Sequence, residues 1–180
     1  TNIGTHNVVY TDIENTDNYD HIYQSDLCGW VGQLGYNKDS IYGANVFTAE
    51  GNETLKAASF YATGKDSQYE LYVVRQFEDE TSLEKMIPVA SGKLGNAGYY
   101  TVDFNQGIEV DAGERYAVVL YIITPGSVHP MAIEYAADEA TENVDLDDGE
   151  SYISANGSKW VSVDTVEKSN LCIKAFSDNR

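Results

Sequence analysis

Four groups of side chains have the type and spacing to do chemistry. The first is Cys28-Gly29-Trp30, a thiol beside glycine and an aromatic ring, with histidines elsewhere at His6, His21 and His129. Thiol catalysis needs a depressed thiol pKa, a nearby base and a group that orients the base. The C-G-[SA]-C-[WY] pattern of thiol peptidases sets its cysteine directly before the aromatic residue. Here Gly29 intervenes and the upstream cysteine is missing, so Cys28 reads as structural. The histidines lie far apart and none has the short spacing of a metal-binding pair. They read as surface or hydrogen-bonded structural residues.

The second group is acidic, Asp145-Leu146-Asp147-Asp148-Gly149-Glu150. Calcium takes six to eight oxygen ligands, and an aspartate-rich turn supplies several at once. Asp145, Asp147 and Asp148 are the candidate metal ligands, and Ca2+ is the one cofactor the residues suggest. The stretch has no 12-residue EF-hand register, and the competing reading is a solvated acidic loop. The third group is Tyr36, Asn37, Asp39 and Tyr42 in the segment 35–43, expected to be a glycine-rich loop. A tyrosine ring on a wet surface can stack on a pyranose face while amide and carboxylate groups read its hydroxyls. Trp30 and Trp160 are expected to anchor the core. The fourth group is the general supply of carboxylates, in which nothing singles out the pair that glycoside hydrolysis needs. No phosphate loop, dinucleotide fingerprint or nucleophile elbow is present.

The elements that must position these residues are strands. The chain has 180 residues, of which 42% are hydrophobic and 14 are tyrosine. Short β-branched and aromatic runs are separated by Gly, Asn and Asp turns. Strands are expected over 7–13, 21–24, 44–49, 55–63, 68–77, 88–91, 98–104, 108–110, 115–123, 131–136, 150–154, 159–163 and 171–176. Asn156-Gly157 predicts a hairpin pairing Tyr152–Ser154 with Trp160–Ser162. The best helical candidate is the acidic stretch 138–143, which has no apolar face. Many short strands with regular turns give an all-β, two-sheet β-sandwich of jelly-roll type. Residues 1–18 read as a linker or N-terminal arm, and 19–180 as the domain.

Charge narrows the partners. Eleven Lys and Arg stand against 29 Asp and Glu, a formal charge of −18. That field repels nucleic acid and anionic membrane surfaces. No apolar run approaches the roughly 20 residues of a membrane span. Two cysteines, Cys28 and Cys172, leave both a single bridge and two free thiols open.

Several segments resemble one family. Tyr19-Asp20-His21-Ile22-Tyr23-Gln24 followed by Gly29-Trp30 resembles the opening of the lectin-like domain that follows papain-type cysteine peptidase domains in secreted bacterial proteins. Ala44–Ala49, Leu55–Tyr61, Tyr69–Val73, Gly98–Val102, Gly149–Ser154, Trp160 and Ile173–Phe176 continue the similarity. The resemblance implies a non-catalytic β-sandwich on the C-terminal side of a secreted or cell-surface, papain-like cysteine peptidase, whose catalytic residues lie outside this chain. The leading expectation is a monomeric module that attaches its parent to a glycan or cell-surface partner, although the resemblance itself supplies no sugar and no ligand residues. A second expectation is a structural domain that packs on its parent peptidase domain and has no ligand of its own. A third, less favoured, is a hydrolase built on a carboxylate pair.

Overall fold

The computed structural model describes residues 9–11, 13, 15 and 17–180. Most of the expected arm lies outside them, as do residues 7, 8 and 12 of the strand expected over 7–13. Val9, Tyr10, Thr11 and Ile13 are exposed and belong to no strand.

Among the described residues thirteen strands follow in chain order: β1 His21–Tyr23, β2 Gly32–Leu34, β3 Ser40–Thr48, β4 Glu53–Ala62, β5 Ser67–Val74, β6 Ile87–Leu94, β7 Gly98–Val110, β8 Arg115–Ile123, β9 Met131–Glu134, β10 Glu150–Ser154, β11 Val161–Ser162, β12 Asn170–Leu171 and β13 Ile173–Asn179. They form a smaller sheet, β1-β13-β4-β7, a larger sheet, β11-β10-β3-β8-β5-β6, and a short sheet, β12-β9-β2. The pairings are antiparallel. The architecture is the expected all-β sandwich. No helix among the described residues is long and apolar enough to cross a membrane.

Strand periodicity explains the layers. On β8, Tyr116, Val118, Leu120 and Ile122 point inward and meet Leu55 and Phe60 of β4 and Ile173 and Ala175 of β13. Ala117 and Val119 point the other way, into a second cluster with Ala44, Val46, Val74, Phe77 and Leu83. The unbroken apolar run of β8 therefore belongs to a strand buried on both faces. A short 3-10 helix, Glu80–Glu84, contributes Leu83 to that outer cluster. Asp79 caps it, accepting from Thr81 N at 2.9 Å.

Several sequence expectations are corrected. Segments 98–104 and 108–110 are one strand, β7, with a bulge opposite Leu55 to Ala57 where Asn105-Gln106-Gly107 interrupts the apolar pattern. The acidic stretch 138–143 forms turns, with Thr141 and Asp138 hydrogen-bonded to each other, and no helix. Segment 35–43 is not one loop, since β3 begins at Ser40. Gly43 sits inside the strand because a Cβ there would come 2.6 Å from Met131 Cε. The hairpin of Tyr152 with Ser162 forms as expected, with Gly157 at φ 74° in its turn.

One buried carboxylate ties the smaller sheet to the turn before β4. Glu53 accepts from Tyr23 Oη at 2.7 Å, Ser177 Oγ at 2.5 Å and Gly51 N at 2.8 Å. Burial alone would raise its pKa. The donors from Ser177, Tyr23 and Gly51 outweigh burial and hold it below the ordinary 4.5. A depressed carboxylate contributes stability that is complete above its unfolded pKa and disappears as pH falls through the folded value. Glu53→Gln is expected to cost roughly 1–3 kcal/mol at pH 7. The gap between wild type and variant in urea unfolding should close as pH falls below 4.5. A gap that does not change with pH would refute this role.

Candidate functional site

Cross-strand register sets out the outer face of the larger sheet row by row. One row runs Lys93, Gln68, Ile123 and Ser40 across β6, β5, β8 and β3. The next runs Ser91, Glu70, Tyr121, Tyr42 and Ser154, reaching β10. A third joins Tyr72, Val119, Ala44 and Tyr152. The far end of this face carries the apolar cluster with Phe77 and Leu83, and the near end is open. There a cleft of about 260 Å³ is lined by Gln68, Tyr69, Glu70, Ser91, Gly92, Lys93, Tyr121 and Ile123.

The aromatic residues at this end support one another. Tyr42 stacks on Tyr121 with centroids 4.2 Å apart, and Trp160 meets Tyr42 edge-on at 6.2 Å. Gly157 lies against the Tyr42 ring, 3.1 Å from where its Cβ would be. Tyr72 donates to Glu70, fixing that carboxylate beside Tyr121. Burial, with the neighbouring Tyr121 and Glu70, raises the Tyr42 pKa, so the phenol stays protonated at neutral pH. One half-exposed ring backed by a second, bordered by an amide, a carboxylate, a hydroxyl and an ammonium, can stack on a sugar face and address its hydroxyls. The cleft lining holds one carboxylate, Glu70, rather than a hydrolytic pair.

The structure separates the four ligand candidates read from sequence. Tyr42 contributes to this platform from β3. Tyr36 packs on the core between the sheets, where burial raises its pKa. Asn37 adopts φ 57° in an exposed turn, and Asp39 is exposed with its carbonyl accepting from Thr124 N at 2.7 Å. Tyr121, Glu70, Gln68 and Lys93 escaped the sequence reading because they come from three strands that pair only in the fold. Trp30, expected in the core, is 37% exposed.

A second arrangement gathers oxygen atoms around Asn170 at the start of β12. Its Nδ2 lies 2.9 Å from the carbonyls of Ser25 and Asp145, 3.0 Å from Glu134 Oε2 and 3.4 Å from Asp148 Oδ1. An amide nitrogen carries two hydrogens, so four acceptors exceed what it can satisfy. Glu134 and Asn170 are buried, and the other Glu134 oxygen accepts from Cys28 N. Burial, reinforced by Asp145, raises the Asp148 pKa. Among the described residues no three His, Cys, Asp or Glu side chains converge on a metal position. The cage offers instead two carboxylates, two carbonyls and an amide, a donor set that suits a hard cation. Of the acidic trio read from sequence, Asp148 faces the cage with its side chain and Asp145 with its carbonyl. Asp147 points away to Lys168 at 2.8 Å. Glu134 and Asn170, the other ligand-type side chains, carry no local spacing signal.

Both thiols are free, Cys28 exposed and Cys172 buried. Burial and nearby Glu134 raise the Cys28 pKa, and burial together with Asp26 and Glu134 raises that of Cys172. Neither has the electropositive setting of a nucleophilic thiolate.

The family described as lectin like domain matches residues 22–177. The chain belongs to this family. Among solved structures, it is similar to a cysteine-to-alanine variant of the clostridial cysteine protease Cwp84 after propeptide cleavage, with TM-score 0.73 and 24% identity over 89% of this chain and 40% of that one. It is also similar to the cysteine protease and lectin-like domains of Cwp84, a surface layer associated protein of Clostridium difficile, with TM-score 0.69 and 21% identity over 89% of this chain and 36% of that one. The chain thus spans well under half of either solved chain, and the likeness establishes the fold. No curated protein matches it.

Truncating either ring of the stacked pair removes the same contact. A double-mutant cycle of Tyr42→Ala and Tyr121→Ala, read by urea unfolding, is expected to give a coupling of about 1 kcal/mol. Additive effects would mean that the rings do not support each other.

Proposed function

We propose that this lectin-like domain is a carbohydrate- or cell-surface-binding accessory module of a secreted cysteine peptidase, and that it works as a monomer with no catalysis of its own. The observation that carries the reading is the open cleft beside Tyr121, with Gln68, Glu70, Ser91 and Lys93 around an aromatic floor. The relative described as surface layer associated supports a location at the cell surface. The test is a glycan array probed with the isolated domain. Reproducible binding to one glycan class is expected, weakened at least about tenfold by Tyr121→Ala, as for a central aromatic anchor, and unaffected by Asn37→Ala. An array with no binding, or binding indifferent to Tyr121→Ala, would overturn the reading.

Calcium is the cofactor proposed for the Asn170 cage. Glu134, Asp148, Asn170 and the carbonyls of Ser25 and Asp145 would hold it, since a half-turn of the amide exchanges Nδ2 for Oδ1. Bound there, the ion would neutralise the two carboxylates and pin the loops bearing Ser25 and Asp145. At 100 times its dissociation constant, a calcium ion stabilises the fold by about 2.7 kcal/mol. Thermal unfolding should therefore shift upward with Ca2+ and revert with chelator. Asp148→Asn should abolish the shift and Asp147→Asn should preserve it. A wild-type domain that ignores calcium would sink the proposal.

A second reading, a domain that packs on its parent peptidase, is favoured by a separate observation. Trp30 forms a partly exposed aromatic row with Tyr61 and Tyr99 of the smaller sheet, and Tyr99 lines a cavity together with Thr11, Asn18 and Tyr19. The two readings use opposite faces of the sandwich and are compatible.

A further inference from the structure

We infer that Lys174 and Asp26 condense into an intramolecular amide, a covalent cross-link between β13 and the segment that joins β1 to β2. The inference is independent of which surface of the domain meets a ligand or partner.

Asp26 is fully buried, yet neither oxygen of its carboxylate has a hydrogen-bond partner among the described residues. Buried polar side chains seldom go unpaired, and a carboxylate incurs the largest penalty. The group that faces it is Lys174 Nζ, 3.3 Å from Oδ1 and not aligned for a hydrogen bond. The lysine nitrogen donates instead to Gln24 Oε1 and to the Asp26 carbonyl. Its side chain is only 14% exposed. The neighbouring carboxylate, Glu134, is already engaged by Cys28 N and Asn170 Nδ2. Tyr61, Tyr99 and Cys172 lie close enough to Asp26 to feel its charge, and Trp30 packs on Tyr61 at 5.8 Å. The pair therefore meets among aromatic rings and a thiol, largely out of water.

Burial sets the chemistry. Two charges held out of water are costly unless hydrogen bonds satisfy them, and this carboxylate has none. A proton passing from Nζ to the carboxylate leaves a neutral amine against a neutral acid. The amine lone pair then attacks Asp26 Cγ. The Nζ–Cγ bond forms, the Cγ–OH bond breaks, and the hydroxyl leaves with an amine proton as water. No oxidant, metal or cofactor enters the balance. The product keeps one N–H, for which Gln24 Oε1 and the Asp26 carbonyl are acceptors already in place. Well-oriented intramolecular partners reach effective molarities on the order of 10⁵–10⁸ M, and a site that excludes water protects the amide from hydrolysis. The cross-link joins residues near opposite ends of the chain. It fixes the segment that carries Trp30 and the Ser25 carbonyl of the oxygen cage.

Intact-mass spectrometry of the purified protein, folded and then denatured, tests this. The wild-type mass should fall below the sequence mass by one water. Tryptic digestion should yield a branched peptide joining the segments around Asp26 and Lys174, with no cleavage after Lys174. Lys174→Arg keeps the cation and should show the full sequence mass. It should also unfold at a lower temperature than the wild type, because the cross-link no longer restrains the unfolded chain. A wild-type protein at full mass, cut by trypsin after Lys174, would overturn the inference and leave an ordinary buried ion pair. A lost water that maps to Asp148-Gly149, where aspartyl cyclisation gives the same mass, would overturn it as well.

Discussion

Asn45 is the polar contact on which the arrangement turns. It is buried on the inner side of β3, a position where an unpartnered amide would cost several kcal/mol. Its Nδ2 donates to the carbonyls of Leu171 at 2.9 Å and Ile173 at 2.8 Å, and its Oδ1 accepts from Ser151 Oγ at 2.7 Å. Those carbonyls flank Cys172, where the chain leaves the short sheet and joins the smaller one. One side chain of the larger sheet thus fixes the crossover between the other two. Asn170, Lys174 and Phe176 take their positions from that crossover. Gly43, two residues earlier, provides the close approach that lets Met131 and Leu171 reach β3. On the opposite side of the same strand, Tyr42 and Ala44 build the outer face. β3 is therefore the spine from which both surfaces and the oxygen cage are placed.

What the sequence disclosed follows from the range of its signals. The doubly buried β8 was visible as an unbroken run from Tyr116 to Ile123, and the β10–β11 hairpin as Asn156-Gly157, because both patterns are local. β2 was missed: Gly32-Gln33-Leu34 is three residues with a glycine, and its strand character comes only from pairing with Ala132 and its neighbours. Gly35 and Gly43 suggested a loop, yet Gly43 is a close-approach residue within a strand, so Tyr42 belonged to a sheet face from the start. The cage was half legible. Asp145 to Asp148 announced oxygen ligands, but Glu134 and Asn170 lie in separate strands and acquire meaning only when β9 pairs with β12. The resemblance to lectin-like domains succeeded where periodicity could not, because order and spacing of weak motifs encode the long-range pairing.

The charge distribution explains why the oxygen cage stands apart. Most basic side chains serve a defined carboxylate: Arg75 forks onto Glu114, Arg115 meets Glu150, Arg180 bridges Glu109 and Asp111, and Lys174 faces Asp26. Asp26 is fully buried, and desolvation raises its pKa despite Lys174. Glu134 and Asp148 meet a neutral amide instead. Two carboxylates and two carbonyls that converge on one NH2 group exceed its two hydrogens, and the shortfall costs most on the buried side, at Glu134 and Ser25, since Asp145 and Asp148 are exposed. A proton on Asp148 would relieve part of this, in keeping with its raised pKa, but would leave the carbonyls short of donors. A divalent ion satisfies carboxylates and carbonyls together. Its expected effect would be structural, because it would tie together the loops around Ser25 and Asp145. On the proposed reading the ion would hold loops and the Tyr121 cleft would serve recognition, the two lying in separate parts of the fold.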